Sequence, residues 1–100
     1  MEEQTASENH VWIIIEKRDE NETILGLTNN SEENFIPVTA NKEDGLLLSG
    51  RLPQEQGAQR QVEAIHKDQI IKEAQSNGFA VYLVDGQGNI GPRLSDGKEH

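Results

Sequence analysis

Five consecutive residues, Val11-Trp12-Ile13-Ile14-Ile15, form an unbroken β-branched and aromatic run. Like the six-residue run Phe79 to Val84, it falls far short of the roughly 18 to 20 residues needed to cross a bilayer as a helix. As a strand it sends Val11, Ile13 and Ile15 to one side and Trp12 and Ile14 to the other, so both of its faces need cover. Phe79 to Val84 has the same two-sided character, with Phe79, Val81 and Leu83 opposed to Ala80, Tyr82 and Val84. Any fold open to this chain must bury these two segments in a sheet.

The remaining elements follow from pattern and punctuation. Glu16 to Glu22 reads as a charged loop, and Thr23 to Thr28 as a second strand that completes a hairpin. Asn34 to Val38 reads as a third, in which Pro37 has no N–H to give a ladder and so marks an edge strand or a strand end. Thr39 or Asn41 can cap a helix whose positive first turn holds Glu43 and Asp44 and whose buried side is Leu46, Leu47 and Leu48. Ser49-Gly50, with Pro53 beyond, ends it. Pro53 to Arg60 reads as a polar loop and Gln61 to Ile65 as an alternating strand. Lys67 to Ser76 is a helix with Ile70, Ile71 and Ala74 on one stripe, stopped by Asn77-Gly78. The order is β-β-β-α-β-α-β.

With 100 residues the chain has length for one core. The expected architecture is a single α+β domain over residues 10–91, between flexible tails at 1–9 (acidic) and 92–100. Its sheet is about five-stranded and mostly antiparallel, with two helices on one face. Helices of about ten residues, at 1.5 Å per residue, are short enough that the second face is left to another partner.

The strand and helix order, with Phe35-Ile36-Pro37-Val38-Thr39 leading into an acidic helix start, resembles the N-terminal domain of SseB (enhanced serine sensitivity) proteins. It is also similar to a small uncharacterised domain of cyanobacteria and plastids. Asn41 to Leu48, Val62 to Ile71, Asn77-Gly78-Phe79 and Tyr82-Leu83-Val84 carry the likeness, within Val11 to Val84. The resemblance implies a compact sheet with helices on one side. It brings no catalytic residues to transfer.

Charge and composition narrow the function. Residues 1–44 hold 11 acidic and 3 basic side chains, residues 45–100 seven and six, toward a net charge of −9. That balance opposes binding to nucleic acid, which requires a basic face. The chain has no cysteine, so disulfides, thiolate nucleophiles and Cys-based metal sites are excluded. The acidic, polar start is unlike an export signal, and a cytoplasmic protein is expected. Without export, the glycosylation sequons at Asn21 and Asn29 read as turn residues.

Three motifs invite chemistry. Gly86-Gln87-Gly88-Asn89-Ile90-Gly91 is a literal G-x-G-x-x-G after a strand, but a dinucleotide site needs a helix next and an acidic residue about 20 positions on. Pro92 follows instead, and the sequence runs only to His100. Asp85, Gln87 and Asn89, with Asp96 at the twelfth place, are spaced like a calcium loop, yet the sixth place is Ile90 where the motif demands Gly. His66, between a strand and a helix and near Asp68, is the best general-base candidate, with no nucleophile in a suitable context. No metal, cofactor or catalytic residue is assigned.

The expected function is therefore a non-enzymatic protein-interaction or regulatory module. It would act through an apolar sheet face centred on Trp12, Ile14 and Tyr82 that receives a protein partner or a second copy, with the acidic half steering a basic partner. The alternative is a small-molecule binder or minimal enzyme with its pocket near His66.

Overall fold

The computed structural model describes residues 9–53 and 57–94. The expected tails, the centre of the expected 53–60 loop, and Asp96 lie outside the described residues. The elements run β1 (His10–Arg18), β2 (Asn21–Ile24), β3 (Leu27–Thr28), β4 (Asn34–Val38), α1 (Lys42–Arg51), β5 (Ala58–His66), α2 (Lys67–Ser76), β6 (Ala80–Val84) and β7 (Ile90–Leu94). The α+β class stands.

β1 lies at the centre, as its two-sided burial requires. On one side it pairs antiparallel with β5 in unbroken register from His10↔His66 to Arg18↔Ala58. On the other its C-terminal half pairs with β2, while Trp12 exchanges two backbone hydrogen bonds of 2.9 Å with Thr39, just past β4. That bridge joins the β2-β1-β5 ladder to the second ladder, β3-β4-β6-β7. β4 and β6 run parallel, and every other pair is antiparallel.

Several expected boundaries move. Thr23–Thr28 is two strands: after Ile24 the chain leaves β1, with the Leu25 N–H on the Ile14 carbonyl, and crosses to β4. β1 and β2 meet at Asp19-Glu20, where Asp19 takes the left-handed backbone (φ 57) that a short polar side chain tolerates. β4 is an interior strand despite Pro37. Backbone groups of alternate residues point the same way, so Pro37 shares the direction of Phe35 and Thr39, into the gap where β3 has ended and β1 begins. No ladder donor is needed there. β7 carries regular structure to Leu94, beyond the expected limit at residue 91, so Ile90–Leu94 is a seventh strand rather than part of a tail.

The helices lie on opposite faces, which corrects the expectation of two on one side. Val11, Ile13, Ile15, Ile36, Val38 and Val81 form one core with Ile70, Ile71 and Ala74 of α2. Ile14, Phe35, Ala80 and Val84 form the other with Leu48 of α1. The reason is the direction of the two connections. The chain passes over β1 in going from β4 to β5, then returns over β1 and β4 in going from β5 to β6. Two crossovers of one hand running in opposite directions must place their helices on opposite faces.

α2 follows its pattern: Ile70, Ile71 and Ala74 are buried and Gly78 (φ 77) follows the Asn77 cap. In α1 Asn41 is the cap, its side chain accepting from the Asp44 N–H at 2.8 Å. The helix runs to Arg51, through the expected stop at Gly50. Leu48 is 2% exposed but Leu46 and Leu47 are 54% and 53% exposed. Three consecutive residues sweep about 200° of a helix, more than one sheet can cover.

Two contacts dock α1. Gly45 lies against β5, where an added Cβ would fall 2.7 Å from Val62 Cγ1 and 3.1 Å from Thr39 Oγ1. Arg60 of β5 reaches under the helix C-terminus, donating to the carbonyls of Ser49 (3.0 Å), Leu52 (3.2 Å) and Pro53 and pairing with Glu16 at 3.2 Å. Its side chain is only 7% exposed, so carbonyls the helix leaves unpaired are satisfied by a charged, rigid donor.

Gly45→Ala therefore lowers the melting temperature, although alanine is the better helix former by about 1 kcal/mol. Overpacking against the stiff Val62 outweighs that gain, for a net loss of about 1 kcal/mol by urea titration. Arg60→Ala costs about 2–4 kcal/mol in the same measurement, because it strands Glu16 and three carbonyls together. Arg60→Lys restores only part, since an ammonium cannot reproduce the planar fork.

Candidate interaction surface

The three residues expected to form an open face lie on one side of the sheet, but that side is not open at all three. Ile14 is 2% exposed, buried with Leu48 under α1. Trp12 and Tyr82 are half-buried and lie in different places. Trp12 pairs with Ala64, and the next positions on that face are His10 and His66, whose rings meet edge-on at 5.1 Å. The sheet thus gathers Trp12 and His66 at one end. Tyr82, on β6, stands edge-on to Phe35 at 5.3 Å and donates its hydroxyl to Glu33 Oε1 at 3.0 Å.

What the structure leaves uncovered is a part of the face rather than the whole of it. α1 rests most heavily on β5 and β1; on the β4–β6–β7 portion Phe35, Ala80 and Val84 are still buried, with Leu48 in their cluster, and exposure begins at β7. There Ile90, opposite Val84 in the β6–β7 register, is 51% exposed. Two clefts meet at Ile90. One, about 220 Å³, runs toward Asp44 and Asp85; the other, about 450 Å³, is walled by Leu27, Phe35 and Ile90 together with the polar residues 28–31. Leu47 of α1 stands over the β6–β7 turn, its Cβ 3.0 Å from where a side chain on Gly86 would begin. Asp44 and Asp85 line the smaller cleft, and the Glu33–Arg93 pair, at 3.2 Å, stands by Tyr82.

Of Tyr82, Leu47, Ile90 and Glu33, the sequence reading placed only Tyr82 on its candidate surface. The signals were present in part. A leucine triplet on a helix must expose a member, and Asp85-Gly86 followed by Ile90 is a hairpin signal.

The glycine motif is that hairpin. The Asp85 N–H donates to the Asn89 carbonyl at 3.1 Å and the Gly88 N–H to the Asp85 carbonyl at 3.1 Å, with Gly88 at φ 91. β7 follows where a dinucleotide site would have a helix. Both Asp85 oxygens are engaged within the turn: Oδ1 accepts from the N–H groups of Gln87 and Asn89, and Oδ2 from the Asn89 amide. The calcium-like spacing is thus a self-satisfied Asx turn. Asn29 acts similarly, accepting from the Ser31 and Glu33 N–H groups. His66 is exposed at the start of α2, makes no side-chain cap bond, and lines neither cleft. Among the described residues no group of three His, Cys, Asp or Glu side chains could hold a metal ion, and no helix is long and apolar enough to cross a membrane.

These features define a small α+β domain with a central mixed sheet, one helix on each face, and two clefts that meet at Ile90 on the α1 side. The chain belongs to the family described as a domain of unknown function, DUF3110, whose model matches residues 11–93, from β1 into β7. No curated protein and no solved structure matches the chain.

The Asp85 carboxyl is held below its ordinary value of 3.8, first by the Asn89 side-chain hydrogen bond and then by backbone N–H groups. Its contribution to stability is therefore present above about pH 4 and lost as the pH falls through its lowered folded value. NMR titration of the Asp85 side chain should give a midpoint below 3.8 in the native chain. Asn89→Ala should raise that midpoint; an unchanged midpoint would remove the side-chain bond as the main cause.

Proposed function

We propose that this domain is a non-enzymatic interaction or regulatory module that takes an apolar side chain of a protein partner into the cleft at Ile90. The observation that carries the reading is the half-exposure of Ile90, where the two clefts meet, and of Leu47 over the neighbouring β6–β7 turn, beside a helix that rests mainly on β1 and β5. Large apolar side chains grouped around a cleft are typical of binding surfaces rather than of inert ones. Tyr82, between Phe35 and the Glu33–Arg93 pair, is of a type enriched among the residues that dominate binding energy.

Charge supports a basic partner. Asp44 and Asp85 line the smaller cleft, the first turn of α1 adds Glu43, and the chain as a whole carries −9. Such a field speeds encounter with a segment that places lysine or arginine beside an apolar anchor, and salt weakens it.

Affinity capture from the native host tests this with the wild type, Ile90→Asp and Tyr82→Ala, each at low and moderate salt. The expected result is a partner retained by the wild type, weakened by salt, and bound about tenfold or more weakly by Ile90→Asp. Identical partner profiles for the wild type and Ile90→Asp would sink the proposed surface.

A further inference from the structure

β5 is the longest edge strand, nine residues with one neighbour, β1, and no break in register. Its opposite number β7 is guarded by Pro92 and a register shift, two common devices against unwanted pairing. β5 has neither. Its one arginine, Arg60, is folded under α1 instead of standing over the edge.

The hydrogen-bond pattern identifies the free groups. Trp12 gives both backbone groups to Thr39, so its partner Ala64 must direct its own N–H and C=O away from β1. The Lys67 N–H on the Asn9 carbonyl confirms the alternation from the other parity. Arg60, Val62 and Ala64 therefore turn three N–H and three C=O groups outward, and no described backbone group meets them.

We propose that this edge receives β5 of a second copy, antiparallel, about a two-fold axis at Val62. Outward-facing residues fall opposite one another in that register: Val62 meets Val62 of the other copy, and Arg60 meets Ala64. All six free groups of each chain are satisfied. On the α2 face Gln61 falls opposite Glu63, an amide donor against a carboxylate, twice by symmetry. Centring the axis on Glu63 would set two carboxylates against each other.

The helix above the edge fits the same axis. Gly45 and Leu48 face the sheet, and Leu47 and Asp44 face Gly86 on the β6 side. At 100° per residue Leu46 falls on the other flank, over the free edge. Gly45 lies directly on Val62, so Leu46 stands beside the two-fold axis. Strands about 4.8 Å apart, with each α1 resting on both β5 and β1, separate the two helices by about 10 Å, a normal packing distance. Leu46, 54% exposed in one chain, is then buried against its own copy, with Ser49 and Gly50 allowing close approach.

Sedimentation equilibrium of the full chain tests this, with hydrogen exchange read residue by residue. The wild type should form a dimer of the 11.2 kDa chain. The amides of Arg60, Val62 and Ala64 should be protected at high concentration and exposed on dilution. Ala64→Pro removes only an outward N–H at an exposed position, and Leu46→Glu alters only the exposed flank. Each should weaken dimerisation about tenfold or more while keeping the native circular dichroism spectrum. A wild type that stays monomeric to millimolar concentration overturns the proposal, as does a dimer that both variants retain. Ile90→Asp, on the far side of α1, should dimerise normally, so failure of the cleft and failure of this edge are distinguishable.

Discussion

Burial of β1 on both faces is the constraint around which the fold is arranged. Ile14 points to one core and Val11, Ile13 and Ile15 to the other, and neither set can face water. A strand of this kind needs a neighbour on each edge and a layer above and below. β5 and the β2–β4 side supply the edges, and α1 and α2 supply the layers. Two connections of one hand, crossing β1 in opposite directions, achieve this with two short helices. The bridge between Trp12 and Thr39 matters for the same reason: it makes one sheet from two ladders, so that β1 and β4 share both cores.

The position of α1 then decides what is exposed. Gly45 lets the helix sit close on β5, and Arg60 ties its C-terminus to Glu16 on β1. Held there, α1 reaches the β6–β7 turn through Leu47 and leaves Ile90 of β7 exposed. The cleft at Ile90 opens on one of its flanks and the free edge of β5 on the other, with Leu47 and Leu46 directed respectively to each. Two adjacent leucines, which look like one apolar patch in the sequence, therefore belong to different surfaces.

Polar side chains near these surfaces mostly serve the local backbone. Asp85 and Asn29 organise their own turns, and Asn41 caps α1. Motifs with the spacing of a nucleotide or calcium loop are thereby consumed in making a hairpin. Glu33 differs, since it joins Tyr82 and Arg93 across 49 and 60 residues of sequence.

By itself the sequence determined the α+β class, the strand character of Val11–Ile15 and of Phe79–Val84, the two helices, the Asn41 cap and the stop at Asn77-Gly78. These depend on local periodicity and turn chemistry, which neighbouring residues carry in full. Only the tertiary structure decided that the helices take opposite faces, that Pro37 lies inside a sheet, and that Ile14 is buried while Ile90 is exposed. Those outcomes depend on the direction of crossovers and the width a short helix can cover. Both are properties of segments tens of residues apart, and no local pattern encodes them. Of the residues anticipated on one open apolar face, Ile14 is buried under α1 and Trp12 and Tyr82 are half-buried, while Ile90, on β7, is exposed.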